Sequence, residues 1–312
     1  VTLTINPAVD ISTSVRKLVP FTKMRCTEAQ RDPGGGGINV ARVLMRLGLE
    51  ATAVYPAGGA TGQTLAALVE REAVRSIVIP TLKDTREDIT VFDETSKEQF
   101  RLVFPGASLS EFEWQQCLDA IARLTPRAAF VIASGSLPPG APVDFYGKVV
   151  RASKGAAKVI VDTSGASLKA ALEAGVYLIK PNLREFQELA GISCADESSL
   201  LEAGRRLFDR YRIEIIALSL GSGGALLLTR DIAMRANGLP MEPVSVSGAG
   251  DSFLGAMVWR LANGDKLDSA LRYGIAGGSA ALLSPGTGLC LAADVHRLAS
   301  SVNVTIIAGY HA

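Results

Sequence analysis

Histidine is nearly absent from this chain of 312 residues: His296 and His311, both close to the carboxyl end, are the two it has. That argues against a Ser-His-Asp or Cys-His hydrolase and against a histidine-built metal centre. Cysteine is equally sparse. Cys26, Cys117, Cys194 and Cys290 lie far apart with no CxxC pair, so neither a disulfide framework nor a zinc site is signalled, and four reduced, buried thiols are expected. Neither sign of charge dominates: 32 Lys and Arg against 31 Asp and Glu give a net charge of +1. With no global basic field there is no case for nucleic acid or an anionic membrane surface, and any anion binding must be local. No apolar run approaches the roughly 18 residues that suggest a membrane span. The expected setting is soluble and cytoplasmic.

Apolar residues and glycine are what the chain does have. With 48% apolar residues it can bury a large core, since a chain of this size hides about three quarters of its unfolded surface. Short β-rich runs at 51–55, 128–133, 158–162, 177–179 and 214–219 alternate with helical periodicity at 61–72, 111–123, 143–151 and 197–211. The runs are apolar on both faces, as buried parallel strands are. The pattern predicts an α/β sandwich with a mainly parallel sheet. Two segments, 10–30 and 89–104, show strand-like alternation without a helix beside them. The second flanks Glu94-Thr95-Ser96-Lys97 as a hairpin would. Together they predict a small sheet projecting from a core of 1–9, 31–88 and 105–312, serving as a lid over a ligand, a dimer surface, or both.

The 31 glycines exceed the usual share of about 7% and come in runs. Ser247-Gly248-Ala249-Gly250-Asp251 leads straight into a helix with Leu254, Met257, Val258 and Leu261 on one face. Small residues there let backbone amides surround an anion at a helix start. Asp251 beside such a loop either caps the helix or deprotonates a hydroxyl that attacks phosphorus. Gly34 to Gly37, followed by Ile38 and Asn39, lets the backbone approach a polar ligand, with Asn39 suited to sugar hydroxyls. Neither this run nor Gly221-Ser222-Gly223 completes the dinucleotide fingerprint, and no Gly-x4-Gly-Lys-Ser/Thr exists. Asn182 and Glu185, after Lys180-Pro181, read either as a capping pair or as holders of metal-bound water. Ser219 to Gly224 is a tight turn or a nucleotide wall.

Gly34-Gly35-Gly36-Gly37-Ile38-Asn39-Val40-Ala41-Arg42, Asn182-x-x-Glu185 and Gly248-Ala249-Gly250-Asp251, in that order, resemble the ribokinase-like (PfkB) family of sugar kinases over essentially the whole chain. The runs 55–62, 104–107 and 134–140 are most similar to its 6-phosphofructokinase branch. The 1-phosphofructokinases and tagatose 6-phosphate kinases are near neighbours, often with Lys where this chain has Gly36. The resemblance implies a three-layer α/β/α sandwich and an ATP- and Mg2+-dependent transfer to C1 of fructose 6-phosphate. A non-catalytic sugar-phosphate sensor or a dinucleotide-dependent oxidoreductase are the alternatives from other classes.

Carried over by position, the resemblance makes Asp251 the base and the amides of Gly248, Ala249 and Gly250 an anion hole. Asp10, Gly35, Gly36, Asn39 and Ser136 would hold the sugar. ATP would lie along Lys180, Asn182, Ser219, Gly221 and Gly224 with Ser279 near the adenine, and Glu185, helped by Asp162, would organise Mg2+. Ser245, Ser247, Ala281, Ser284 and Gly286 would form a monovalent cation site, K+ being the natural occupant. Arg86 and Arg101 become the expected grips on the sugar's phosphate. Lys23 and Arg25, read as one strand face, would reach across from a neighbouring subunit's lid in a homodimer. Three positions depart from the pattern: Ser247 for the usual Thr or Val, Gly288 for Arg, and Asp88 where a neutral amide would suit an anionic substrate better.

Overall fold

The computed structural model describes residues 1–193, 196–307 and 310; Cys194 and His311 lie outside the described residues. In chain order the strands are β1 (Thr2–Leu3), β2 (Ala8–Val15), β3 (Gln30–Gly34), β4 (Thr52–Ala57), β5 (Arg75–Pro80), β6 (Arg86–Asp93), β7 (Gln99–Val103), β8 (Phe130–Ser134), β9 (Lys158–Asp162), β10 (Val176–Ile179), β11 (Ile213–Ser219), β12 (Ala225–Leu228), β13 (Ala233–Ala236) and β14 (Val304–Ile306). The helices are α1 (Gly36–Arg46), α2 (Gly59–Arg71), α3 (Glu111–Leu124), α4 (Phe145–Ser153), α5 (Gly165–Ala174), α6 (Leu183–Ala190), α7 (Glu197–Arg210), α8 (Ala249–Ala262), α9 (Leu267–Ala281) and α10 (Ala292–Ala299).

Ten strands form the central sheet in the order β14-β13-β12-β11-β10-β9-β8-β1-β4-β5. It is parallel from β11 to β5 and antiparallel only through β12, β13 and β14. Apolar residues on both faces of these strands serve two separate cores. Ala53, Tyr55, Ile132 and Ile160 pack with α1, α2, α8, α9 and α10, whereas Val54, Val131, Ala133, Val159 and Val161 pack with α3 to α7. Because side chains alternate between the two faces of a strand, runs that are apolar throughout bury both faces and build a three-layer α/β/α sandwich.

The second sheet has the order β3-β2-β6-β7. Its strands reach beyond the expected lid ranges, starting at Ala8 and Arg86 and returning through Gly34. Residues 16–29 form no strand and are almost all exposed. The alternation read there as strand therefore has no ladder behind it, and Lys23 and Arg25 stand on irregular, exposed chain. The Glu94 turn is present: Asp93 Oδ1 accepts the backbone N–H of Thr95 at 2.8 Å and of Ser96 at 3.0 Å, while Oδ2 accepts that of Leu18 at 2.8 Å. One cysteine expectation is corrected, because Cys26 is exposed while Cys117 and Cys290 are buried.

Candidate active site

The parallel strands end on one side of the sheet, where ligands bind in open α/β folds. Ser134 closes β8, Asp162 closes β9 and Ser219 closes β11. Above them a cleft of about 320 Å³ is bordered by Asp10, Gly35, Gly36, Asn39, Arg86, Asp88, Arg101, Ser134, Gly135, Ser136, Asp162, Glu185, Ser247, Gly248, Asp251 and Thr287 among others. A neighbouring cavity of about 730 Å³ touches Ser219, Gly221, Gly224, Ala249, Gly250, Phe253 and Ser279. The start of α8 is the wall between them. Gly248 and Asp251 face the first space, Ala249 and Gly250 the second.

Asp251 does not cap its helix. The N-cap is Gly248, left-handed at φ 76°, with no side-chain cap, so the first amides of α8 stay free for an anion. A side chain at 248 would run into Leu289. The Asp251 carboxylate accepts instead from Asn39 Nδ2 at 2.9 Å. Its pKa is pushed up to about 7, first by removal from water and then by the charge of Asp162, against the pull of Asn39 and Lys180. Asn39 is itself fixed: buried Arg42 donates from Nη1 to Asn39 Oδ1 at 3.2 Å, to Pro33 O at 3.1 Å and to Thr287 O at 3.2 Å. That choice of acceptor leaves the Asn39 amide nitrogen turned to Asp251. Glu72 neutralises Arg42 at 2.7 Å and Arg46 at 2.9 Å.

On the lid side, Asp10 Oδ2 accepts from Thr287 Oγ1 at 3.0 Å. Burial raises its pKa to about 6, Thr287 and the two arginines oppose that, and Asp88 adds to it. Arg101 reaches the cleft from β7. Arg86 does too, yet it is 3.0 Å from Asp88 Oδ2 and donates to Phe104 O at 3.0 Å. Ser136 Oγ accepts from Asn6 at 3.0 Å. Lys23 and Arg25 are not brought to this chain's own cleft. Gly36 is required by space: a Cβ there would come within 2.1 Å of Ser134 Oγ and 3.3 Å of Asp251 Oδ1.

Lys180 Nζ lies 3.3 Å from Asp162 Oδ1. Burial alone would depress its pKa, but Asp162 and Asp251 more than offset that and the net shift is upward. A Cβ at Gly250 would sit 3.3 Å from that Nζ, so the ammonium group stands beside the free amides of α8. Asn182 and Glu185 form a complete capping box at 2.9 Å each way. The box engages one Glu185 oxygen, and the residue still borders the cleft beside Asp162. Among the described residues no group of three acids, histidines or cysteines is arranged to hold a metal. Of the residues assigned to a cation, Ser245 Oγ donates to Gly286 O at 2.8 Å and accepts from Ser247 N at 3.2 Å, while Ala281 and Ser284 bond to each other at the end of α9.

The sequence profile of the pfkB family carbohydrate kinases matches residues 4–294. The chain belongs to this family. As a pfkB kinase it is 45% identical over 298 residues to the ATP-dependent 6-phosphofructokinase isozyme 2 of Mycobacterium tuberculosis, covering 95% of this chain and 88% of that one. It is 38% identical over 299 residues to the protein of the same name from Escherichia coli K12, covering 95% and 96%. Phosphofructokinase-2 from Escherichia coli in complex with fructose-6-phosphate superposes with a TM-score of 0.90 at 36% identity, over 96% of this chain and 97% of that one. The same protein in complex with potassium gives 0.91 at 37%, with the same coverage. A tetrameric inhibited form of it gives 0.90 at 36%, again over 96% and 97%.

Within this pfkB kinase the sequence alone left Arg42, Glu72 and Thr287 without a role. Arg42 stands inside the glycine-asparagine motif, and Glu72 and Thr287 belong to no motif. In sequence, Arg42 and Glu72 are two charges 30 positions apart, which read equally well as a solvated surface, and Thr287 carries no signal at all.

Proposed function

We propose that this chain is an ATP- and Mg2+-dependent kinase that transfers the γ-phosphoryl group of ATP to the C1 hydroxyl of fructose 6-phosphate, giving fructose 1,6-bisphosphate and ADP. The observation that carries this is Asp251. It is a carboxylate held at the wall between two cavities, spent on no cap, with a pKa near 7. A base poised near the working pH is half ionised and takes the hydroxyl proton as the new O–P bond forms and the bond to ADP breaks. The amides of Gly248, Ala249 and Gly250 receive the charge on the phosphoryl oxygens. Lys180, beside Gly250, adds a fixed positive charge on the nucleotide side. Asp10 and Asn39 orient the sugar, and Arg101 with Arg86 meets its 6-phosphate.

Glu185 and Asp162 fit a Mg2+ that arrives with ATP and keeps its waters, because the site offers two acids near the triphosphate path and no closed cage. Such an ion neutralises phosphate charge. For a potassium ion, Ser245, Ser247, Ala281, Ser284 and Gly286 are our candidates, supported by the potassium complex of the Escherichia coli relative. Substrate choice within the family follows the names of the 6-phosphofructokinase relatives and the absence of any side chain at Gly36.

Coupled ADP release with fructose 6-phosphate, fructose 1-phosphate, tagatose 6-phosphate and free ribose tests the reading. The highest kcat/KM is expected for fructose 6-phosphate; a higher value for any of the others overturns the substrate. Asp251→Asn should lose about 10² to 10⁴ in kcat while still binding ATP. The acid limb of kcat/KM near pH 7 should vanish with it. Near-normal turnover by that variant would overturn the assignment of the base.

A further inference from the structure

At the outer end of the sugar cleft the lid sheet sets acids against one another. Asp10 on β2 and Asp88 on β6 are direct cross-strand partners, and both face the cleft. Like charges so placed ordinarily destabilise a sheet. Asp88 is buried, and its carboxylate has two occupations: it accepts the Phe104 N–H at 3.0 Å and the Arg86 Nη1 donor at 3.1 Å. Arg86 in turn gives Nη1 to Phe104 O and Nη2 to Asn6 O at 3.3 Å, and its Nε is buried without a partner. The fork that would grip a phosphate borders the cleft but already has both terminal nitrogens engaged by the protein. Arg101, exposed on the same sheet face, has no ion pair among the described residues.

We infer that Asp88 is a specificity-determining residue for the phosphosugar. Its carboxylate keeps Arg86 occupied and places a negative charge beside the substrate's 6-phosphate, so recognition falls first on Arg101 and affinity for the sugar phosphate is held down. A charged clamp answered by an internal carboxylate disfavours any anion that cannot also satisfy Arg101. This rests on the reading of the site as a phosphosugar kinase.

The decisive variant is Asp88→Asn, whose carbonyl oxygen can still accept from Phe104 and Arg86 while the charge is gone. The apparent KM for fructose 6-phosphate should fall about fivefold or more, with the KM for ATP within about twofold. An unchanged or higher sugar KM, in a variant that melts like the parent, overturns the proposal. If that variant folds poorly, calorimetric binding of fructose 6-phosphate to Arg101→Ala and Arg86→Ala decides instead. Arg101→Ala should weaken binding more than Arg86→Ala, and the reverse order overturns the proposal. Wild-type protein that binds the phosphosugar but releases no ADP would refute the kinase reading while leaving both affinity comparisons interpretable.

Discussion

Arg42 shows how far a functional group can be set by residues that never meet the substrate. One guanidinium ties the return strand of the lid at Pro33, the Asn39 amide that faces Asp251 and the 287 loop whose threonine holds Asp10. Lysine in its place keeps the charge opposite Glu72 but has no planar fork to serve three acceptors in fixed directions. Arg42→Lys should therefore lower kcat about tenfold and move the acid limb of kcat/KM upward, because Asp251 loses a well-aimed donor. Unchanged kcat and an unmoved limb in a pH–rate profile would show that Asn39 holds its orientation unaided. Asp251 and the glycine loops that border the cleft could be picked out in the sequence because the chemistry proposed for them restricts residue type. Arg42 and Glu72 could not, because an ion pair between a buried arginine in α1 and the residue that ends α2 has no local spacing.

At the scale of elements, the lid is where sequence and structure part most. Alternation from 16 to 29 reads as strand although it joins no ladder, its Thr27 bonding only locally to Thr13 and Ser14, whereas the hairpin β6–β7 is secured by Asp93, whose bonds from Leu18, Ser96 and Thr95 hold its carboxyl below the usual range. The start of α1 was equally silent, since Gly35 precedes it with no side-chain cap. The hairpin carries a consequence for assembly. Ile89 pairs with Leu102 and Val91 with Phe100, an apolar row on the face opposite Asp88 and Arg101, with Leu102 54% and Phe100 43% exposed. An edge strand so apolar calls for a partner, and we propose that two lids meet there in a homodimer. Leu102→Asp should shift the sedimenting species from dimer to monomer and raise the sugar KM. A monomeric wild type would overturn this.

The whole molecule carries the consequence of an active site built from acids that the fold would rather keep neutral. The pKa values of Asp251 and Asp10 rise in the folded state, to about 7 and about 6 from 3.8, so between those limits the native chain binds more protons than the unfolded one. Stability from these two groups is full below about pH 4 and falls as pH climbs to about 7. Glu72, Asp93 and Glu113 work the other way, their pKa values lowered in the fold, so what they contribute is lost on acidification. The sheet and both cores, which the alternating pattern already made legible, stabilise the scaffold that tolerates this opposition. Asp251→Asn keeps an acceptor for Asn39 and removes the charge. It should melt about 2–4 °C above the wild type at pH 8, with the gap narrowing through pH 6 and closing near pH 4. Calorimetric melting at those three pH values checks it: a gap that stays constant with pH would mean that the stabilisation comes from packing and that folding does not raise the pKa of Asp251.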